Sequence, residues 1–178
     1  MSSIRRVAVL SIGLVAVVGA GGGGASGATT GKGVCVTSID PVRSGERTSV
    51  TREIGCWATE AEANAGAGVV GAAPGLAAPV VQAASVTIGK DFTGQFASGT
   101  VKIWVTSNLA GCSGGAVYSA AMPAGFDNVT RSAYGFAGCN HNTHYDPPSA
   151  SGTQISCNPN CPTMPGMDMR TSFVRWAP

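Results

Sequence analysis

Residues 139–176 read CNHNTHYDPPSASGTQISCNPNCPTMPGMDMRTSFVRW, and this stretch decides how the chain is read. It carries three of the six cysteines and both histidines. Turn formers interrupt it every few residues, leaving short runs such as Thr153–Ser156 and Thr171–Trp176 with strand composition. It has the pattern of one half of a small β-domain stapled by disulfides.

Moving towards the N-terminus, Val101–Thr106 (VKIWVT) alternates as a strand. Its expected buried side is Val101, Ile103 and Val105, with Lys102, Trp104 and Thr106 on the other. Val86–Ile88 reads as a strand followed by a turn from Gly89 to Gly94. Val117–Ala121 and Ala133–Ala137 are further strands, and Asn108–Gly115 is a loop containing Cys112. Many short strands spaced by turn residues predict a mainly β fold, a sandwich over residues 85–178.

Upstream, residues 66–84 are Gly, Ala, Val and Pro without periodicity, a linker composition. Residues 29–65 form a small αβ segment. Val34–Ile39 and Ser49–Ala58 are strands separated by the turn-forming Pro41–Glu46. Thr59 and Glu62 make a capping box that opens a helix from Glu60 to about Ala67. At the start of the chain, Arg5 and Arg6 precede an apolar run from Val7 to Ala20 and then Gly and Ala residues. That order of charged, apolar and small residues predicts a signal peptide over residues 1–28 and export by general secretion. The paired arginines also suit a twin-arginine route, although their neighbours fit it poorly. The apolar run is shorter than the roughly 20 residues that cross a bilayer, so the mature chain is expected to be secreted, free of the membrane and monomeric.

Export changes the reading of the cysteines. Cys35, Cys56, Cys112, Cys139, Cys157 and Cys161 all follow the signal, and an even number in an exported chain points to disulfides. Pairing in sequence order, Cys35 with Cys56, Cys112 with Cys139 and Cys157 with Cys161, keeps each bridge inside one apparent module. The rival is zinc held by Cys157, Cys161 and the histidines. Charged residues make up only 11% of the chain and the net charge is +2. The Lys and Arg residues are scattered singly, which argues against nucleic acid as a partner. There are only nine acids, and in the C-terminal module Asp91, Asp127, Asp146 and Asp168 stand apart, giving no carboxylate pair for hydrolysis. Gly111-Cys112-Ser113-Gly114-Gly115 approaches the nucleophile loop of chymotrypsin-like proteases, but both histidines follow Ser113, so the order fails and no enzyme is expected. His141 and His144 with Met164, Met167 and Met169 suggest a copper ligand set, against the plainer reading of loop hydrogen bonds and gap-filling methionines. Asn128-Val129-Thr130 matches a glycosylation acceptor.

Two stretches resemble the calcium motif of βγ-crystallins, in which Asn or Asp twice, any two residues, Ser or Thr, and Ser follow one another. They are Asp127-Asn128-Val129-Thr130-Arg131-Ser132 and Met167-Asp168-Met169-Arg170-Thr171-Ser172, whose starts lie forty residues apart, about one Greek-key repeat of that family. The companion signature of that family is approached by Tyr145–Gly152 and by Thr87–Gly94. The segments CVTSIDPV, CWATEAEA, GCNHNTHYD, CNPNC and TSFVRW further resemble exported actinobacterial proteins of βγ-crystallin type, a group that includes metalloproteinase inhibitors. The resemblance implies a βγ-crystallin-like Greek-key β-sandwich preceded by the αβ segment. It implies a non-enzymatic binding module, most concretely an inhibitor of an extracellular protease, with a calcium- or metal-stabilised structural or stress protein as the alternative. The first motif has Arg131 in the fifth position, where the family uses a hydroxyl ligand. The implied calcium set is therefore Asp168 and Thr171 of the second motif, helped by Asp127 and Asn128. The plainer reading is a pair of tight turns in which Ser132 and Ser172 hold backbone. The loops Asn108–Gly115 and Cys157–Met169 are the candidate inhibitory segments.

Overall fold

The computed structural model describes residues 33–70 and 84–178. The expected signal peptide over residues 1–28 and the middle of the expected linker lie outside the described residues. The described residues are mainly β, with ten strands and one helix among them: β1 (Val34–Ile39), β2 (Thr51–Trp57), α1 (Glu60–Gly66), β3 (Val86–Phe92), β4 (Val101–Thr106), β5 (Tyr118–Ala121), β6 (Ser132–Gly135), β7 (His141–Tyr145), β8 (Gln154–Cys157), β9 (Asn160–Cys161) and β10 (Phe173–Ala177). They form two sheets, one of order β2-β1-β4-β3-β6-β9 and one of order β5-β10-β7-β8.

The eight strands from β3 onward fall into two repeats of four related by a pseudo-two-fold axis. In the first, β3 pairs with β4 and with β6, and in the second β7 pairs with β8 and with β10. The third strand of each repeat leaves for the other sheet, β5 onto β10 and β9 onto β6. Registers match across the axis. Gly89 faces Gly135 where Asn142 faces Trp176, and Asp91 faces Ala133 where His144 faces Val174. The hairpin turns correspond as well, with Thr93 N–H bonded to Thr100 O and Asp146 N–H to Thr153 O, and with Gly99 and Gly152 at φ 83° and 78°. The span equivalent to Tyr145–Gly152 is therefore Phe92–Gly99, not Thr87–Gly94.

The αβ segment joins this framework. β1 runs parallel to β4 from Val34 opposite Val101 to Ser38 opposite Val105, and antiparallel to β2. The two sequence segments flanking the Gly/Ala/Pro stretch thus share one sheet. The described ends of that stretch meet, since Val69 bridges to Ser85 and the Ser85 hydroxyl donates to Ala67 O at 2.7 Å. α1 carries the expected capping box: Thr59 Oγ1 accepts from Glu62 N–H at 3.2 Å and Glu62 Oε2 accepts from Thr59 N–H at 3.1 Å.

Three layers result. α1 packs Ala63 and Ala67 onto Val34, Val36, Val101, Ile103 and Val105 on the outer face of the large sheet. On the inner face, Ile39, Ile88 and Trp104 meet Tyr118, Ala120, Val174 and Trp176 of the small sheet, with the two indoles 5.0 Å apart. β4 lies in the middle layer, so all six of its residues are buried; the expected exposed side of Lys102, Trp104 and Thr106 does not exist, because the small sheet covers it. β3 likewise runs through Gly89–Phe92, where a turn was expected. Gly89 is a close-packing position, since a Cβ there would strike the Trp176 indole. β7 and β9 were not anticipated.

The disulfides are Cys35–Cys56, Cys112–Cys139 and Cys157–Cys161, the sequential pairing. Each closes a small loop in a chain with limited core, which restricts the unfolded state by about 2–4 kcal/mol per bridge. No helix of the described residues is long and apolar enough to cross a membrane.

Candidate functional site

The loop between β4 and β5 is held by its own side chains. Asn108 Nδ2 donates to Gly111 O at 3.2 Å and to the Tyr118 hydroxyl at 3.1 Å, while its Oδ1 accepts from Ala110 N–H at 3.3 Å. An Asn bonding the backbone two residues on is a turn-forming device. Gly111 adopts φ 56° and packs so closely on Ala137 that a Cβ would strike the Ala137 carbonyl. Cys112 N–H donates to Ala137 O at 2.9 Å, and the buried Cys112–Cys139 bridge fixes the base. Leu109, between these braces, is 55% exposed. An apolar side chain is thus presented to solvent on backbone that has already lost its freedom.

The second candidate loop, Cys157–Met169, turns two of its three methionines inward. Met164 and Met167 are buried with Ala133, Cys157 and Cys161, whereas Met169 is half exposed, at φ 56°. A further exposed aromatic was not anticipated. Phe96, in the β3–β4 hairpin, is 70% exposed at φ 53°, its N–H bonded to Pro162 O at 2.7 Å. The Thr93–Gly99 turn chemistry could have pointed to the hairpin, but not to an outward Phe.

The two crystallin-like motifs meet at the axis. Asn128 N–H donates to Thr171 O and Met169 N–H donates to Thr130 O, at 2.9 and 3.0 Å. Asn128 and Met169 share the left-handed conformation, and Thr130 and Thr171 are both fully buried. Thr130 is therefore the structural counterpart of Thr171, one residue out of step with the motif spacing, and Arg131 corresponds to Ser172. Arg131 Nε and Nη2 donate to Asp168 Oδ1 and Oδ2, each at 2.9 Å. This fork holds the Asp168 carboxyl below the usual carboxylate range and the guanidinium above its own. Asp127 and Asn128 lie at the exposed surface, Ser172 Oγ donates to Asn128 Oδ1 at 3.3 Å, and the Thr171 hydroxyl makes no hydrogen bond among the described residues. Calcium needs several free oxygens. With Asp168 committed to Arg131, the four residues do not form a ready cage for it.

The histidines are separated by the sheet. His141 is exposed and its Nδ1 lies 3.0 Å from Asn158 Oδ1, whereas His144 is buried between the sheets with Nε2 3.5 Å from Asp91 Oδ1. Met164 and Met167 belong to a different part of the core, so the copper set is not assembled. All six cysteines are in disulfides, which removes the zinc reading. Ser113 is exposed and is hydrogen-bonded to neither histidine among the described residues.

Sequence reasoning missed the buried polar core. Asp91 accepts from Trp104 Nε1 at 2.7 Å, and Lys102, cross-strand from Asp91, lies 5.7 Å and 5.8 Å from the Trp104 and Phe126 ring centres. Burial pushes the Asp91 carboxyl up to about 7, against the Trp104 hydrogen bond and the Lys102 charge, and pushes His144 down to about 3. Burial also lowers Lys102. Acids and bases so displaced are common at reactive centres, but Asp91 and His144 are wholly closed to solvent and can meet no substrate. Comparison with protein-family models, with curated proteins and with solved structures finds no match to this chain.

Proposed function

We propose that this chain is an exported, non-enzymatic βγ-crystallin-like module that binds another protein, most concretely as an inhibitor of an extracellular protease. The observation that carries the reading is Leu109, exposed on a loop locked by Asn108 and by the Cys112–Cys139 bridge. A protease cleft gains apolar contact from such a residue without the loss of freedom that a flexible loop suffers on binding. The return of β6 beside β3 and of β10 beside β7 supports the Greek-key half of the reading. The three disulfides suit an extracellular life.

The test is residual activity of a thermolysin-type metalloprotease and a subtilisin titrated with the oxidised mature protein. Stoichiometric inhibition that disappears on reduction and is weakened by Leu109→Ala is the expected result. Full protease activity with the protein left uncleaved would remove the inhibitor reading for those enzymes. The alternative, a calcium-stabilised structural or stress protein, rests on Asp127, Asn128, Asp168 and Thr171, and requires calcium to displace Arg131 from Asp168.

A further inference from the structure

Eight buried side-chain atoms among the described residues make no hydrogen bond within the protein, and six of them belong to four residues. They are Asp91 Oδ1, both amide atoms of Asn142, both ring nitrogens of His144 and Trp176 Nε1. These four residues form one patch between the sheets. Asn142 and His144 lie two apart on β7 and so share a face, Trp176 is the register partner of Asn142 on β10, and His144 Nε2 is 3.5 Å from Asp91 Oδ1. From the large sheet, Gly89 meets the patch with no side chain, and the Trp176 indole nitrogen comes up against it. The side chains of Asp91, Asn142, His144 and Trp176 are all fully buried.

Unmet buried polar atoms are rare in native proteins, and six together would cost a large share of a domain's stability. Their chemistry says what meets them. The Asn142 amide, the Trp176 indole and one imidazole nitrogen donate. Asn142 Oδ1 and the other imidazole nitrogen accept, and Asp91 Oδ1, on the carboxyl whose Oδ2 takes the Trp104 N–H, donates when the carboxyl holds a proton and accepts when it does not. A metal ion would leave the indole and amide N–H groups unmet, and an anion would leave Asn142 Oδ1 and the imidazole lone pair unmet. A small neutral molecule that both donates and accepts satisfies the set, and water is that molecule. We propose that Asp91, Asn142, His144 and Trp176 form a binding site for internal water on the pseudo-two-fold axis between the sheets.

Trp104 provides a control inside the same core. Its indole is equally buried, but its N–H is already bonded to Asp91 at 2.7 Å. Water-selective NOE and ROE spectra of the oxidised mature protein should therefore show contact between a long-lived water and the Trp176 indole N–H and Asn142 amide protons, with none at the Trp104 indole. No contact at Trp176, or equal contact at both indoles, overturns the proposal, as does one equivalent of tightly bound metal by elemental analysis. Asn142→Leu should abolish the water contact at Trp176, and its persistence in that variant counts against the site. If Asn142→Leu does not fold, the comparison of the two indoles in the unaltered protein decides.

Discussion

Asp91 and His144 occupy equivalent places on β3 and β7 and meet on the pseudo-two-fold axis, Nε2 to Oδ1 at 3.5 Å, with both side chains fully buried. In the unfolded chain near pH 5 the imidazole holds a proton and the carboxylate does not. In the folded protein, with Asp91 raised to about 7 and His144 lowered to about 3, the proton sits on the carboxyl. Folding moves one proton from base to acid within the pair. Between roughly pH 4 and 6.5 both states hold one proton, so the pair adds no pH slope to stability there. Below about pH 4 the unfolded chain takes a second proton, and stability falls as the pH falls towards 3. Above about 6.5 the unfolded chain has lost its proton while Asp91 keeps one, and stability falls as the pH rises to about 7. In Asp91→Asn only His144 remains, so the variant should lose about 1.4 kcal/mol per pH unit as the pH drops from 6.5 towards 3. Urea unfolding across pH 4–6.5, level for the parent and sloping for the variant, checks this.

Leu109→Ala should weaken protease binding at least tenfold while leaving the thermal midpoint nearly unchanged, since the side chain is exposed. Asn108→Ala should weaken binding too, by freeing the loop instead of removing the anchor. Inhibition titrations of both variants beside Phe96→Ala separate the loop from an apolar residue exposed on another hairpin.

Gly89→Ala should destabilise the protein by about 1–3 kcal/mol, because the new methyl meets the Trp176 indole in a packed core. Gly45→Ala, where a Cβ meets nothing but the backbone holds φ 84°, should cost less than Gly89→Ala. Chemical unfolding of the two variants gives the comparison.

Thr59→Ala should cost about 1 kcal/mol, since it removes the cap of a helix of only 7 residues. The loss should be seen locally, as faster amide hydrogen exchange in α1 at unchanged exchange in β10.

Calcium should leave the unfolding midpoint of the parent protein unmoved and raise that of Arg131→Ser, in which Asp168 is released. A rise in the parent protein would show that calcium displaces the guanidinium unaided.

Much of the framework could be read from local signals. Val34–Ile39 and Val101–Thr106 are strands with the expected limits, the Thr59–Glu62 box opens α1, and cysteine order gives the three bridges. What could not be read depends on neighbours distant in sequence. Lys102 and Asp91 are polar and look exposed, and only the arrival of the small sheet buries them. His141–Tyr145 lacks the apolar alternation of a strand because its inward positions are Asn142 and His144, which bury polar groups in a polar centre. The motif spacing misplaced the counterpart of Thr171, because the repeats match through reciprocal bonds of Asn128 and Met169, not through residue type.

The exchanged third strands tie the two halves to one another's completion. β10, the last of the described strands, sits between β5 and β7. Until Phe173–Ala177 are free to enter, β5 has no strand partner beside it and β7 has only β8. A chain emerging from the ribosome N-terminus first can therefore assemble the large sheet only in part, because β9 also comes late. The small sheet joins β5 to the β7–β8 pair only through β10, and a nascent chain lacking β10 would lack the Val174 and Trp176 side chains that pack against Trp104.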